Sequence, residues 1–498
     1  MSLSETPPSS PRPIFVDMDG TLIATDLGQE ALFQALKNDP RVLVRLPFWL
    51  RHGLASTKAR LAERVILNPT DLPYHHTVLA ALKELKAAGH PLILATASDR
   101  SWAAPVAAHL NLFDDVLASD GTVNLKGPHK LAAIEAYCQA RLERVRILGR
   151  FPRRSADLGR TDVRPGGRGQ SGRKVAGALR NEARPQRVFA ERGSRLRGLV
   201  KALRPKQWIK NILVFAPLIL SHRWAETEKV WASVAAFVAF SLCASSVYIF
   251  NDVFDAAADR AHPTKRKRPF ASGVLPLTWG PAIIAGLLCL AGVTIAVGVP
   301  ASAAPYFVAI LGVYGVLNVW YSLRGKKRMV VDVLALAAMY TLRVLAAGAA
   351  AEIEVSEWFL ALSMFLFASL AFAKRYAELA ALPPDIERPA GRGYSSLDLP
   401  IIANCGLTAG YLAVLVLALY INNPVMGTLY KNAFALWLIC PLLLYWITRL
   451  WFIAHRGQLD EDPIIYAFRD RISLTVGALV VACALAATYW DRIESWWR

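Results

Sequence analysis

Asn251-Asp252-Val-Phe-Asp255-Ala-Ala-Ala-Asp259-Arg-Ala-His262-Pro-Thr-Lys265-Arg266-Lys267-Arg268-Pro269 follows an apolar run, residues 231–250, and closes in a block of positive charge. Its acids recur at spacings of three and four. On a helix that spacing puts Asp252, Asp255 and Asp259 on one face. Carboxylates sharing a face repel unless a cation lies between them. Oxygen ligands so arranged suit Mg²⁺, which a few carboxylates hold together with substrate phosphates. The basic run that follows suits the phosphates. The plainer reading, a solvated loop whose charges balance, leaves the regular acid spacing unexplained.

The rest of the 498 residues divides into a polar and an apolar part. Hydrophobic residues make up 54%, high for a soluble protein and low for one that is membrane throughout. With 57 Lys and Arg against 38 Asp and Glu, the net charge is +19. Such charge serves nucleic acid, anionic lipid or anionic substrates; the apolar helices favour the last two, and no nucleic-acid partner is expected. Cys138, Cys243, Cys289, Cys405, Cys440 and Cys483 show no CxxC spacing, so they read as apolar packing residues and not as disulfides or a zinc site. Residues 1–14 are polar and Pro-rich, so no signal peptide is expected.

Pro13-Ile-Phe-Val-Asp17-Met-Asp19-Gly20-Thr21 is a short apolar run ending on two acids. A buried strand that delivers carboxylates to its C-terminal tip is where open α/β sheets build their sites. The stretch His90-Pro-Leu-Ile-Leu-Ala-Thr96-Ala-Ser98 is a second such strand, and Asn124-Leu-Lys126-Gly127-Pro-His-Lys130 precedes a helix. In order, these three stretches resemble the first three motifs of the haloacid dehalogenase superfamily of phosphohydrolases. The resemblance implies an α/β Rossmann-like domain over residues 1–150, with a cap in 22–75. It also implies Asp17 as nucleophile towards a phosphomonoester, Asp19 as general acid/base, and Thr96 and Lys126 on the phosphate. Asp17 and Asp19 would share Mg²⁺.

The fourth motif departs from the pattern. After the strand at 145–148 the family needs Gly-Asp and a further Asp, but here Gly149 leads into Arg150-Phe-Pro-Arg-Arg154-Ser-Ala-Asp157-Leu-Gly. Residues 151–198 are basic and Gly/Arg-rich, which is the composition of a linker. A sharper reading is a shifted frame. With suitable codons, a one-base shift turns this stretch into Gly-Asp-Ser-Pro-Gly-Asp, the missing motif. The printed residues imply a crippled phosphatase, with Asp157 and Asp162 as partial substitutes at best.

From residue 199 onward about nine apolar stretches are expected to cross a membrane: 209–221, 231–250, 279–298, 303–320, 330–351, 356–373, 400–421, 432–454 and 473–490. Pro217 interrupts the first. Loops 251–278, 321–329, 374–399 and 455–472 carry most of the Lys and Arg, which predicts that they lie in the cytoplasm together with the N-terminal domain of a multi-pass cell-membrane protein. Asp332 and Arg343 fall in or beside apolar segments, where ionisable groups mark function or pair with each other.

Nine spans, the Asn251/Asp252/Asp255/Asp259 motif after the second and the Tyr321-Ser322…Asp332 motif after the fourth resemble the UbiA superfamily of intramembrane prenyltransferases. Arg204-Pro-Lys206-Gln-Trp208-Ile-Lys210-Asn211 and His262-Pro-x-Lys265-x-x-Arg268 resemble its decaprenyl-phosphate phosphoribosyltransferase branch most. That branch moves 5-phosphoribose from phosphoribosyl diphosphate to a polyprenyl phosphate. The resemblance implies Mg²⁺ on Asp252, Asp255, Asp259 and Asp332. It places substrate contacts at Lys206, Lys210, Asn211, Asn251, Lys265, Arg268, Tyr321, Lys326, Lys327 and Arg343. Aromatic prenyltransferases of this superfamily carry a second acid four residues after the first in their second motif; here Leu336 follows Asp332. The alternative, transfer of a polyprenyl group from its diphosphate to an aromatic acceptor, is weakened by that departure. A purely structural membrane anchor would leave the acids without work.

Overall fold

The computed structural model describes residues 13–141, 145–148, 162–163, 194–262, 264–383, 393–459 and 462–490. They form two compact units, Met1–Ala202 with Asp252–Ala282, and Leu203–Asn251 with Ile283–Arg498.

The first unit is built on a five-stranded sheet in the order β3-β2-β1-β4-β5. These strands are β1 (Ile14–Val16), β2 (Leu92–Asp99), β3 (Asp115–Ser119), β4 (Val145–Leu148) and β5 (Asp162–Val163). The first four run parallel and β5 antiparallel to β4. Central parallel strands are covered on both faces, hence the unbroken apolar runs of β1 and β2. Helices α1 (Leu27–Asn38), α2 (Val42–Leu50) and α3 (Leu54–Ala62) lie between β1 and β2 in the chain, where a cap was expected. Asp26 caps α1 by accepting from the Gln29 N–H at 3.1 Å. Then come α4 (His76–Ala87), α5 (Arg100–Leu110), α6 (Pro128–Arg141) and α7 (Arg195–Leu203). The fourth-motif segment lies outside the described residues apart from β5, and so does the shifted-frame reading.

Residues 252–282 pack into this same unit. Glu30 on α1 forms a buried ion pair with Arg260, whose Nε also donates to the Ala271 carbonyl at 2.9 Å. Phe33 meets Phe254 edge-on with ring centroids 5.7 Å apart. Gly273 holds φ +74° and brings its backbone against Ala24. A β-carbon there would lie 2.5 Å from the Ala24 Cβ and 3.0 Å from its carbonyl oxygen.

The second unit is helical. Among the described residues, eight segments are long and apolar enough to cross a membrane. They are α8 (Thr227–Phe254), α10 (Trp279–Gly298), α11 (Ala304–Leu323), α12 (Val331–Ala351), α13 (Glu357–Ala380), α14 (Ser396–Ile421), α15 (Ala433–His455) and α16 (Arg471–Thr488). Between the first two lies the short α9 (Ala256–Ala261), in the first unit. The expected span at 209–221 is not among the eight. Pro205 and Pro217 start two short pieces instead, a 3-10 helix Pro205–Phe215 and a helical turn Ala216–Leu220.

That interrupted segment still runs antiparallel to α8 along about half of its length. Trp208 donates to Ser245 at 3.0 Å and Asn211 to Ser241 at 3.0 Å; Phe215 stacks at a tilt on Phe237, and Leu218 clusters with Ala232. A 3-10 helix rises about 2.0 Å per residue and an α-helix about 1.5 Å, so Trp208-to-Leu218 and Ser245-to-Ala232 both cover roughly 20 Å. The stretched backbone lets a short segment match a long one. Elsewhere small residues let helices close up. Gly406 on α14 leaves room for Trp451 of α15 and Phe372 of α13, and Gly410 for Ile447 and Ser369.

Candidate active sites

In the first unit the tip of β1 carries Asp17 and Asp19. Lys130 on α6 donates to Asp17 Oδ1 at 2.7 Å. Asp19 is the better held of the two. Ser98 Oγ donates to its Oδ2 at 2.7 Å, Thr96 Oγ1 to the same oxygen at 3.2 Å, and the Leu27 N–H to its Oδ1 at 3.0 Å. Burial and the nearby Asp26 carboxylate push the Asp19 carboxyl up to about 6. A carboxyl so raised can both give and take a proton near neutrality, which an acid/base group must do. Lys58 of the cap helix α3 donates to the Ala97 carbonyl at 2.6 Å, so cap and site are joined at the strand end.

Lys126 does not take the place the resemblance gave it. It is exposed, and Lys130, four residues on, reaches Asp17. The turn through Gly127 (φ +60°) ends just before α6, and Lys130 lies inside the first helical turns and faces the sheet. Ser98 was also overlooked as a partner of Asp19. Its position two residues after Thr96 on a strand, hence on the same face, is the signal that was available.

The acid-rich stretch departs from one helical face. Helix α8 stops at Phe254, Asp255 is non-helical (φ −99°, ψ 7°), and α9 starts at Ala256. Asp255 is bound by Lys37, whose Nζ lies 2.5 Å from Oδ1 and donates to the Phe254 carbonyl at 3.3 Å. Asp252 and Asp259 remain together and are buried. A single nitrogen, Nη1 of Arg268, reaches Asp252 Oδ1 at 3.3 Å and Asp259 Oδ2 at 2.7 Å. Among the described residues no three His, Cys, Asp or Glu side chains are grouped to hold a metal. Two buried carboxylates with a cation between them form an oxygen donor set that fits Mg²⁺ completed by phosphate oxygens. Lys265 stands in an exposed 3-10 turn, and Asn251 is half-buried on the last turn of α8.

The second unit buries a polar cluster of its own. Lys210 donates to Asp462 Oδ2 at 2.7 Å and Lys374 to the same oxygen at 3.1 Å; Tyr340 Oη lies 3.4 Å from Oδ1. Burial alone would raise the Asp462 carboxyl, but the two ammonium groups outweigh it and hold it well below the usual carboxylate range. Beside it, Arg343 Nε donates to Asn211 Oδ1 at 2.9 Å and Nη2 to Tyr314 Oη at 3.2 Å. The rings of Phe240, Tyr314 and Tyr340 surround this guanidinium at 5.3, 5.1 and 4.9 Å.

Arg343 therefore does not pair with Asp332. Asp332, expected as a metal ligand, is fully buried with Arg375 Nε 2.6 Å from its Oδ2 and accepts from Tyr394 Oη at 3.0 Å. Arg375 also holds Glu378 and donates to Tyr321 Oη at 2.8 Å. Tyr394 Oη in turn accepts from the Val330 N–H at 2.6 Å, which pins the basic loop carrying the half-buried Lys326 and the exposed Lys327. Val330 pays with φ +63°, a strained value for a β-branched residue. Lys206 is exposed. Sequence reasoning missed Asp462, because Asp before Pro463 reads as a helix cap; it is one, accepting from the Ile464 N–H at 3.3 Å.

Both parts of the chain are similar to known proteins. Residues 14–149 match the haloacid dehalogenase-like hydrolase family, and residues 212–472 the UbiA prenyltransferase family. An uncharacterised protein of Sinorhizobium fredii, y4nM, is 32% identical over 480 residues, 95% of this chain and 91% of that one. The nodulation protein NoeC of Azorhizobium caulinodans is 36% identical over 301 residues, 59% of this chain and 94% of that one. A decaprenyl-phosphate phosphoribosyltransferase of Mycolicibacterium smegmatis is 43% identical over 188 residues, 36% of this chain and 57% of that one. With more than half of its length in the second match and a relative similar almost end to end, the chain is a multi-pass membrane protein of the UbiA prenyltransferase family that carries a haloacid dehalogenase-like domain at its N-terminal end.

Proposed function

We propose that this protein transfers 5-phosphoribose from phosphoribosyl diphosphate to a polyprenyl phosphate at the cytoplasmic side of the cell membrane. The observation that carries the reading is the buried Asp252–Asp259 pair with a cation, Arg268, between its carboxylates. Asp252 and Asp259 would hold Mg²⁺, which when bound neutralises charge on a leaving diphosphate. Arg268, already seated at these acids, would swing to the diphosphate oxygens, with Lys265 supplying further positive charge. Loss of diphosphate leaves an electron-poor ribose carbon. A phosphate monoester anion attacks that carbon without needing a strong base. Lys210 and Lys374 offer two ammonium groups for an acceptor phosphate, with Asp462 holding them in place until it arrives.

Two things favour phosphoribose over a prenyl group as the moiety transferred. Leu336 stands where an aromatic prenyltransferase carries its second acid, and the phosphoribosyltransferase relative is 43% identical over its matched part. The transferred group would retain a 5-phosphate, a phosphomonoester. The N-terminal domain is of the class that hydrolyses such esters, with Asp17 as nucleophile, Asp19 as acid/base and Lys130 on the phosphate. The test is incorporation of ribose label from phosphoribosyl diphosphate into extractable lipid by membranes containing the chain. Asp259→Asn should abolish it; incorporation that survives this change at the parent rate would overturn the reading.

A further inference from the structure

Among the described residues, helix α2 of the cap has an unpartnered apolar face. Leu43, Val44, Phe48 and Leu50 are exposed, Phe48 by 60% and Val44 by 70%, and Leu54 continues the patch into α3. Val42 and Trp49 are buried in the core, and Leu46 packs against it half-buried. A nine-residue helix that leaves four large apolar side chains bare needs a cover, since monomeric soluble domains rarely leave such patches open. Arg41, Arg45, Arg51 and His52 are exposed around the patch, with Asp39 beside Arg45 as the one acid of the group. A short helix with apolar side chains on one side and arginines around them has the make-up of an element that lies in a bilayer interface.

The position of α2 in the fold gives the same answer. Lys37, five residues before α2, donates to the carbonyl of Phe254, the last residue of the membrane-crossing helix α8, and binds Asp255 next to it. The chain thus enters α2 from the end of a span. In the same unit α7 is built alike, with Leu196 and Val200 exposed among Arg195, Arg197 and Lys201. We infer that α2 is a membrane-surface anchor, with Leu43, Val44 and Phe48 inserted among acyl chains and Arg41, Arg45 and Arg51 on anionic lipid head groups. The anchor would hold the cap, and with it the mouth of the phosphatase site, against the surface on which a lipid-linked substrate arrives. The docking claim itself depends on neither activity.

The test is lipid photo-crosslinking in the full-length protein. The photoreactive residue p-benzoylphenylalanine replaces Phe48, or, as a control in the same domain, the exposed Lys83 of α4. Each protein is reconstituted into phosphatidylcholine vesicles with and without phosphatidylglycerol, irradiated, and analysed for lipid adducts by mass spectrometry. The inference predicts at least about fivefold more lipid adduct at 48 than at 83, rising with phosphatidylglycerol. Combined Arg41→Gln, Arg45→Gln and Arg51→Gln should remove the rise; all three side chains are exposed, so folding is not at stake. Equal yields at the two positions would overturn it, as would crosslinking of position 48 to a second copy of the chain or to another protein.

Discussion

Arg375→Met should destabilise the second unit far more than a surface change. Its guanidinium lies 2.6 Å from Asp332, and the two side chains are 2% and 0% exposed. Removing one partner of such a pair leaves a buried carboxylate without its cation, at a cost of about 3–5 kcal/mol. The Tyr394 hydrogen bond survives the change and keeps the estimate near the lower end. For a unit of this size each kcal/mol moves the melting temperature by about 2–4 °C, so a fall of roughly 10 °C is expected. The assay is thermal unfolding in detergent at a fixed heating rate, followed by the loss of monodisperse protein. The double change Asp332→Asn with Arg375→Met removes both charges and should regain more than half of the loss, since the penalty lies in the unpaired charge and not in the missing contact. A single variant that melts within about 2 °C of the parent would refute this reasoning, as would a double variant less stable than the single one.

Three further outcomes follow from the first unit. The Asp19 carboxyl, raised from 3.8 to about 6, keeps a proton when folded that it has lost when unfolded. Its contribution to stability is therefore present at acid pH and lost as pH rises between those values, by about 3 kcal/mol; in chelator-containing buffer, hydrogen exchange of β1 should quicken over that range, and Asp19→Asn should flatten the profile. Gly273→Ala places a β-carbon 2.5 Å from that of Ala24 at a left-handed backbone position, so it should cost at least about 2 kcal/mol and raise proteolysis of the loop around 273; unchanged proteolysis would count against the packing described. Lys130→Ala should cut hydrolysis of a small phosphomonoester about a hundredfold more than Lys126→Ala does, and equal losses would return the role to Lys126. Resequencing the DNA over codons 149–184 decides the shifted-frame reading, which an intact frame would end.

What was legible in the sequence was what periodicity and burial impose. β1 had to be continuously apolar to sit at the centre of a parallel sheet, so the acids at its tip stood out. The membrane helices were legible from length, and the acid motif from its spacing. Partners were not. Spacings of three and four assume an unbroken helix, whereas Lys37, 218 residues away, takes Asp255 at the point where the helix stops. Asp332 and Arg343 are eleven residues apart on α12, three helical turns, and their real partners come from other helices: Arg375 from α13 and Asn211 from the 3-10 segment. Asp462 hid behind its capping role, and the 3-10 stretch behind two prolines that read as a broken span. In each case the missing information was a long-range contact, which local pattern does not carry.

The identity of the transferred group decides the reaction, and a donor competition reads it out. Purified protein in lipid vesicles with Mg²⁺ is offered phosphoribosyl diphosphate and a polyprenyl phosphate, or a polyprenyl diphosphate and an aromatic acid, with product measured in each case. Lipid-linked ribose is expected in the first mixture, lost on Asp252→Ala, with no product in the second. A prenylated aromatic product from the second mixture, with no ribose in the lipid of the first, would contradict phosphoribosyl transfer.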